Sequence, residues 1–141
     1  MGIGVALLMW LSSRVVGPFD VPHALRVSAA LAFLVIGLCF DLAGLVSFVR
    51  AKTTINPIKP ASTSSLVIAG VYRVTRNPMY LGLLLVLLGW ATFLANGVAY
   101  LLAPLFVLYI NRFQIDPEER VLSAKFGAKF SAYQASVRRW L

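Results

Sequence analysis

The chain has 141 residues, of which 60% are hydrophobic and only 13% are charged. Soluble domains are typically about 45–50% apolar and about 25% charged, so this composition excludes an ordinary soluble fold and predicts one membrane-embedded domain. The net charge of +8 does not by itself indicate nucleic acid, because basic residues beside membrane segments set topology and contact anionic lipid. With one cysteine, Cys39, and one histidine, His23, an intrachain disulfide is excluded and no metal site is expected.

The first half of the chain predicts two apolar helices. Residues 1–16 are barely long enough to cross a bilayer, and Gly17-Pro18 ends them. Residues 24–49 are the strongest candidate for a membrane span, with one acid, Asp41, inside it. An acid at that depth is costly, so we expect Asp41 to face other helices, either as a functional group or as a structural hydrogen-bonding group.

The middle of the chain is a polar stretch followed by a helical hairpin. Residues 50–77 are basic and rich in proline and serine, which predicts a long loop outside the membrane or at its surface. Residues 79–94 and 98–113 are two further apolar helices, joined by a tight turn at residues 95–97. We expect Pro104 to kink the second of them.

The last part of the sequence predicts an amphipathic helix. Asp116 can cap it, Pro117 suits its first position, and Glu119 can close a capping box. One apolar stripe runs along an otherwise basic and polar helix, with an interruption expected at Gly127. Such a helix lies on the membrane surface or packs over the helical bundle. The stripe consists of Leu122, Phe126, Phe130, Tyr133 and Val137.

The positions of the basic residues predict the topology. Eleven of the thirteen lysines and arginines lie in residues 50–76 or from residue 112 onward. The positive-inside rule places both regions in the cytoplasm and puts Arg14 and Arg26 at the opposite surface. We therefore expect an all-α integral membrane bundle of about four transmembrane helices, with a C-terminal amphipathic helix on the cytoplasmic side. Both termini would face the cytoplasm, in the inner membrane of a bacterium.

Two polar, motif-rich regions share this predicted cytoplasmic face, at residues 70–82 and 111–120. The turn at residues 95–97 returns the second helix of the hairpin alongside the first, so we expect Tyr80 and Arg112 to be neighbours. A site in a helical bundle can be built from distant stretches of sequence in this way.

The sequence here resembles isoprenylcysteine carboxyl methyltransferases in two signatures, and phospholipid methyltransferases share the general plan. The resemblance covers roughly residue 53 to the end. It rests on two ordered patterns, and a histidine is usual in the family at the position of Asn77. The patterns are Gly70-x-Tyr72-x-x-x-Arg76-Asn77-Pro78-x-Tyr80-x-Gly82 and Glu118-Glu119-x-x-Leu122-x-x-x-Phe126-Gly127-x-x-Phe130-x-x-Tyr133-x-x-x-Val137-x-Arg139.

This resemblance implies a cytoplasm-facing pocket for S-adenosyl-L-methionine, with a lateral opening for a lipid-like acceptor from the bilayer. Glu118 or Glu119 would hold the polar end of the cofactor, and Arg112 would approximate the family's substrate-side arginine. Arg112 and Glu118 are therefore the expected catalytic residues. Residues 50–141 would form the cofactor-binding core of one domain, with residues 1–49 as divergent N-terminal helices. By matching position, the remaining residues expected to line the cofactor are Leu66, Val67, Tyr72, Arg76, Asn77, Pro78, Met79 and Tyr80.

The residue types suit this chemistry. Carboxylates can accept charge-assisted hydrogen bonds from the cofactor's ammonium or ribose hydroxyls, and tyrosine faces can hold the adenine or the sulfonium. An arginine can pair with an acceptor carboxylate, which favours O-methylation of an isoprenoid or another carboxylate. Asn77 keeps a hydrogen-bonding tip but cannot carry a proton as histidine can.

Two other functions stay open from the sequence. Sterol reductases carry a similar Arg-His-Pro-x-Tyr-x-Gly element and use NADPH, so the chain could be a membrane reductase. The asparagine at position 77 would also suit a non-enzymatic, lipid-binding membrane module. Taken one at a time, the arginines and tyrosines of the patterns could be membrane-edge anchors, and the two glutamates could be plain helix-start acids.

Overall fold

The computed structural model describes residues 1–51 and 65–141, and within these ranges the fold is helical, without strands. The all-α prediction is thus confirmed, while residues 52–64 of the predicted basic loop lie outside the described residues. The long helices are α1 (Gly2–Val15), α2 (His23–Arg50), α3 (Pro78–Leu94), α4 (Gly97–Ile110), α5 (Asp116–Phe126) and α6 (Ala128–Ser136), with a 3₁₀ turn at Gly70–Arg73 and a π-helical turn at Asn111–Ile115.

Two of the described helical stretches are long and apolar enough to cross a membrane. They are α2, with 28 residues, and the 30-residue run Gly97–Phe126, which joins α4, the π turn and α5. At about 1.5 Å per residue, each exceeds a hydrocarbon core of about 30 Å. Helices α1 and α3 are apolar but shorter, with 14 and 17 residues. A bundle of four transmembrane helices therefore stays a prediction.

Helix α2 leaves many of its apolar side chains exposed. Large aliphatic side chains stay accessible along its whole length, and an uncovered face of this kind is unfavourable in water and suits contact with lipid chains. The finding supports association of this helix with a membrane. The exposed residues include Leu31, Val35, Leu38, Leu42 and Val46.

The chain divides into two compact units. Unit 1 comprises Met1–Cys39 and Gly82–Leu108, and unit 2 comprises Phe40–Leu81 and Tyr109–Leu141. Every residue expected from the sequence to bind the cofactor or the acceptor lies in unit 2. The single domain with a core from residue 50 onward stays a prediction.

In unit 1, α2 and α3 approach each other closely at two glycines. A Cβ atom built on Gly37 would lie 2.7 Å from the carbonyl oxygen of Gly82, and one on Gly89 would lie 3.0 Å from the carbonyl oxygen of Ala30. Gly37 of α2 thus meets Gly82 of α3, and Ala30 of α2 meets Gly89 of α3, so the two helices run antiparallel. Small residues at such crossings let the backbones approach, as is common in membrane helices.

The turn between α3 and α4 lies where the sequence predicts it. Asn96 is fully buried, and its Nδ2 donates to the carbonyl oxygen of Val16 at 2.6 Å. Its Oδ1 accepts from the backbone N–H of Ala99 at 3.1 Å, which caps the first turn of α4. The carbonyl of Ala95 accepts from the N–H of Phe19 at 2.7 Å. The turn is therefore fixed on both sides by hydrogen bonds within unit 1.

Replacing Asn96 by alanine is expected to destabilise the protein by about 1–2 kcal/mol, since the change removes a helix cap and the hydrogen bond to the Val16 carbonyl. The melting temperature in detergent measures the effect. Asn96→Ser keeps a capping oxygen for Ala99 without burying a charge and loses the donor to Val16, so its loss should be smaller. An unchanged melting temperature for Asn96→Ala would contradict the assignment.

The capping role predicted for Asp116 is wrong. The backbone is already helical at Ile115, and the N–H of Asp116 donates to the carbonyl of Asn111. No side-chain cap is present at the start of α5, although Pro117 does occupy its first turn. Because the chain enters α5 directly from the π turn, the Asp116 side chain is available for an ion pair with Arg139 instead.

The predicted interruption at Gly127 is confirmed. Gly127 has φ +50, a conformation that glycine adopts without steric cost, and it separates α5 from α6. The single amphipathic helix expected from the sequence is thus two shorter helices. Its apolar stripe is used for packing inside unit 2, where Phe130 and Tyr133 are buried with Val67 and Tyr72. The other three stripe residues, Leu122, Phe126 and Val137, pack against this cluster.

Candidate functional site

Unit 2 brings the two sequence patterns into direct contact. The Tyr80 hydroxyl, in the first turn of α3, donates to Oε1 of Glu118 at 2.7 Å. Next to it, Nη2 of Arg76 lies 2.9 Å from Oε1 of Glu119. Both glutamates lie in the first turn of α5. Stretches about forty residues apart in the sequence therefore meet through two neighbouring polar pairs.

Glu118 has one oxygen held by the protein and one available. Gln114, in the π turn, donates from Nε2 to the same Oε1 that Tyr80 contacts, at 3.0 Å. Among the described residues no hydrogen bond reaches Oε2 of Glu118. The carboxylate is thus held through one of its two oxygens. Such π turns within helices are frequent at functional sites.

Glu119, by contrast, has protein partners on both carboxylate oxygens. Its Oε1 is taken by Arg76, while its Oε2 accepts from Nη2 of Arg139 at 2.6 Å and from Nε2 of Gln134 at 3.3 Å. The side chains of Arg76 and Glu119 are both only 12% exposed. A buried carboxylate needs such partners on both oxygens. Of the two glutamates, Glu118 is thus the one with an oxygen that no hydrogen bond from the described residues occupies, and contact of either with a cofactor stays a prediction.

Arg76 likewise donates all of its side-chain hydrogen bonds to acceptors within the protein. Besides the pair with Glu119, its Nη1 donates to the backbone carbonyls of Gln134 at 3.1 Å and Val137 at 2.5 Å. Nε completes the set with a 3.3 Å bond to Glu119, so every guanidinium nitrogen has an acceptor. Arg76 therefore links the residues just before α3 to the end of α6. Its contact with a cofactor stays a prediction.

Asn77 also binds the C-terminal part of the chain, at Arg139. Its Nδ2 donates to the carbonyl oxygen of Arg139 at 2.9 Å, and its N–H donates to the Thr75 hydroxyl at 3.2 Å. The fully buried Thr75 in turn donates to the same Arg139 carbonyl at 3.2 Å. The residue that departs from the family's histidine is thus used as a hydrogen-bond donor.

Arg139 joins these two groups of contacts. Its Nη1 lies 3.0 Å from Asp116, and its Nη2 binds Glu119. Partial burial acts to lower the pKa of Arg139, but hydrogen bonds and the charges of the two carboxylates outweigh it and raise the pKa. Arg139 therefore carries a full positive charge that balances the acids of α5.

Tyr72 belongs to the hydrophobic core of unit 2. It is buried, packs edge-on against Phe48 with ring centres 5.5 Å apart, and accepts at its carbonyl a 2.7 Å hydrogen bond from Tyr133. Burial raises the pKa of the Tyr72 phenol well above its ordinary value and that of Tyr133 to about 12, so both hydroxyls are protonated at neutral pH. Leu66 and Val67 pack in the same cluster. Contact of these residues with a cofactor stays a prediction.

Pro78 and Met79 support the first turn of α3. Pro78 is fully buried and begins the helix. A Cβ atom on Gly44 would lie 2.8 Å from Cγ of Met79, so α2 and the Met79 side chain are in close contact within unit 2. This packing holds the turn that carries Tyr80, and the predicted cofactor contacts of both residues are not tested by it.

Arg112 lies in the π turn and lines an open depression of about 450 Å³. Among the described residues no ion pair or hydrogen bond joins Arg112 to Tyr80, so the predicted proximity of these two residues stays a prediction. The side chain of Arg112 is exposed. The other residues that line the depression are Asp116, Glu119, Arg120, Ser123 and Gln134.

Sequence reasoning missed several polar residues that complete the site. Gln114 stands four residues before Glu118, a spacing that places two side chains on one helix face, so this contact could have been found from the sequence. No local sequence pattern predicts the contacts of Thr75 and Gln134. The same holds for the hydrogen bond from Trp140 Nε1 to Asn111 Oδ1 at 3.1 Å. Their partners lie far away in the sequence and depend on tertiary packing.

Comparison with known proteins gives the chain its class. The family model for phospholipid methyltransferase matches residues 25–129, which is most of the chain. The chain is 29% identical over 136 residues to protein-S-isoprenylcysteine O-methyltransferase A of Arabidopsis thaliana, covering 94% of this chain and 68% of that protein. It is 51% identical over 63 residues to an uncharacterized protein of Haemophilus influenzae, covering 45% of this chain and all of that protein. No solved structure matches.

These findings define a membrane methyltransferase. More narrowly, the chain belongs to the phospholipid methyltransferase family. The resemblance seen in the two sequence patterns is thereby confirmed, and the polar pairs between Tyr80 and Glu118 and between Arg76 and Glu119 lie within the matched residues.

Proposed function

We propose that this protein transfers a methyl group from S-adenosyl-L-methionine to a lipid-like acceptor dissolved in the bilayer. The observation that carries the proposal is the Tyr80–Glu118 pair, which holds one carboxylate oxygen at 2.7 Å and leaves the other available. The family match supports the reaction class, and the name of the Arabidopsis relative supports an acceptor that is bound to an isoprenoid.

The residues at this pair fit the methyl donor chemically. Its ammonium and ribose hydroxyls are hydrogen-bond donors, and the free oxygen of Glu118 is an acceptor whose negative charge strengthens such bonds. The ring of Tyr80 supplies an aromatic face beside it. When bound, the cofactor supplies an activated methyl group. The task of Tyr80 and Glu118 is then to bind and orient it and to exclude water.

For the acceptor, we propose a carboxylate, with Arg112 as the residue that orients it. Arg112 is exposed and, among the described residues, has no acidic partner within ion-pair distance. A guanidinium in this state can pair with a carboxylate through two parallel hydrogen bonds. We therefore propose O-methylation, with the acceptor entering from the bilayer.

The site is proposed to face the cytoplasm at the inner membrane of a bacterium, with both termini on that side. The positive-inside rule supports this orientation, because basic residues surround both sequence patterns. Anionic membrane lipids are then natural neighbours of the exposed arginines.

Isothermal titration of the detergent-purified protein tests the cofactor assignment. S-adenosyl-L-methionine and its demethylated product, S-adenosylhomocysteine, are each expected to bind, and NADPH is expected to give no heat. Mass spectrometry of membrane extracts treated with an isotopically labelled methyl donor, with and without the protein, then identifies the acceptor. Binding of NADPH in place of both methionine derivatives would overturn the proposal.

A further inference from the structure

Four successive residues after α6 are each held by hydrogen bonds, three of them to the first sequence pattern and the fourth to the π turn. The chain is extended at Val137, with φ −129 and ψ 133, and we name residues 137–140 the anchor segment. Its contacts are Arg76 Nη1 to Val137 O at 2.5 Å, Arg76 N to Arg138 O at 3.0 Å, Asn77 Nδ2 and Thr75 Oγ1 to Arg139 O at 2.9 and 3.2 Å, and Trp140 Nε1 to Asn111 Oδ1 at 3.1 Å.

Within the anchor segment, Arg139 is held from two directions. Its backbone carbonyl accepts from Thr75 and Asn77, just before α3. Its guanidinium reaches α5, where Nη1 pairs with Asp116 at 3.0 Å and Nη2 with Glu119 at 2.6 Å. One residue thus joins the start of α3 to the first turn of α5.

The charges of this cluster balance. Arg76 and Arg139 stand against Asp116 and Glu119, two positive and two negative groups. Glu119 is only 12% exposed and uses Oε1 for Arg76 and Oε2 for Arg139. Without Arg139, Oε2 of this mostly buried carboxylate would lose its charged partner and keep only the neutral donor Gln134 at 3.3 Å, which weakens the hold on Glu119.

A rotation of α5 about its axis would move Glu118 and Glu119 together. Successive side chains on an α-helix point about 100° apart, because one turn holds 3.6 residues. Glu119 faces the two arginines while Glu118 faces Tyr80. The ion pairs of Glu119 therefore restrain the rotation of α5 about its axis, and with it the distance between Glu118 and Tyr80.

We propose that Arg139 is a positioning residue for the methyl-donor site: through Asp116 and Glu119 it sets the rotation of α5 that holds Glu118 against Tyr80, and Asn77 holds Arg139 in place. The inference rests on the proposed function for its effect on cofactor binding. It also gives Asn77 a role that needs a hydrogen-bond donor and no proton carrier, which suits asparagine where the family pattern has histidine.

The neighbouring arginine provides a matched control. Arg138 is exposed and, among the described residues, its side chain has no ion pair, whereas Arg139 has two. Arg139→Gln is expected to raise the Kd for S-adenosylhomocysteine on the order of 10-fold, as is typical when a group that orients a ligand-holding side chain is lost. Arg138→Gln is expected to leave the Kd within about twofold of the wild type, since its side chain makes no ion pair and the substitution keeps the backbone carbonyl that Arg76 binds.

Two changes at Asn77 separate positioning from general packing. Asn77→His keeps a donor for the Arg139 carbonyl and should retain binding within about twofold, while Asn77→Leu has no donor and should weaken it several-fold. Equal binding by the histidine and leucine variants, both folded at the assay temperature, would overturn the role of Asn77. Equal binding by the variants at positions 138 and 139 would overturn that of Arg139.

Hydrogen–deuterium exchange of the ligand-free protein gives a readout that does not depend on the cofactor. Arg139→Gln is expected to speed exchange in α5 relative to Arg138→Gln, because the first turn of the helix loses its ion pairs with Arg139. If Arg139→Gln does not fold, Asp116→Asn removes one arm of the same pair at a side chain that is 37% exposed, and α5 should again exchange faster. Unchanged exchange in α5 would refute the positioning role, whereas a wild-type protein that binds neither methionine derivative would refute only the proposed function.

Discussion

Glu118→Gln is expected to lower the affinity for S-adenosyl-L-methionine by about 10- to 100-fold, because hydrogen bonds to a charged group contribute about 1.5–3 kcal/mol each. The change keeps the shape of the side chain and can keep the contact with Tyr80. It removes the negative charge that we propose binds the polar end of the methyl donor. Isothermal titration in detergent gives the dissociation constant directly.

The control for this change is Asp20→Asn, which removes an exposed carboxylate in unit 1. It alters the net charge equally and should leave the dissociation constant unchanged. Tyr80→Phe should have a smaller effect than Glu118→Gln, because it removes one of the two hydrogen bonds that orient the carboxylate and leaves the charge in place. A folded Glu118→Gln variant with wild-type affinity would show that the carboxylate is not a ligand of the cofactor.

Gly37→Leu is expected to destabilise the protein by at least about 3 kcal/mol, at the upper end of the range for overpacking. Even the first carbon of a side chain at this position would lie 2.7 Å from the Gly82 carbonyl oxygen and 3.2 Å from the backbone nitrogen of Val86. Neither contact can be relieved by a side-chain rotation, since both are with backbone atoms. The two helices would have to separate.

The matched control is Gly4→Leu, since a Cβ atom on this glycine of α1 would meet nothing within 4 Å. Melting temperatures of the two variants in the same detergent make the comparison. Gly4→Leu should melt near the wild type, because leucine favours a helix over glycine. Equal melting temperatures for the two variants would show that α2 and α3 do not pack at Gly37.

Much of the helical framework could be predicted from the sequence. The apolar runs gave α2 and α3 to within a residue or two at each end, and the break at Gly127 followed from one glycine in a polar helix. The capping role predicted for Asp116 was wrong because its local pattern does not show where the helix begins. A cap signal spans four residues and does not reveal whether the preceding residues are already helical, as Ile115 is here.

The site was predictable in its residues but not in their partners. The two patterns mark Arg76, Glu118 and Glu119 as important, yet sequence alone does not distinguish two adjacent glutamates. Their difference arises from partners 15 to 43 positions away in the sequence, which only the tertiary packing within unit 2 brings to them. The use of Asn77 to hold the carbonyl of Arg139, 62 residues on, is of the same kind.

The adjacent glutamates have a consequence for how such a protein can diversify. Any replacement of Glu119 disturbs two ion pairs and therefore the scaffold itself, whereas Glu118 meets only neutral partners, Tyr80 and Gln114. Mutational tolerance thus changes sharply over a single position. We therefore expect substitutions of Glu118 to change ligand binding with less effect on folding than substitutions of Glu119.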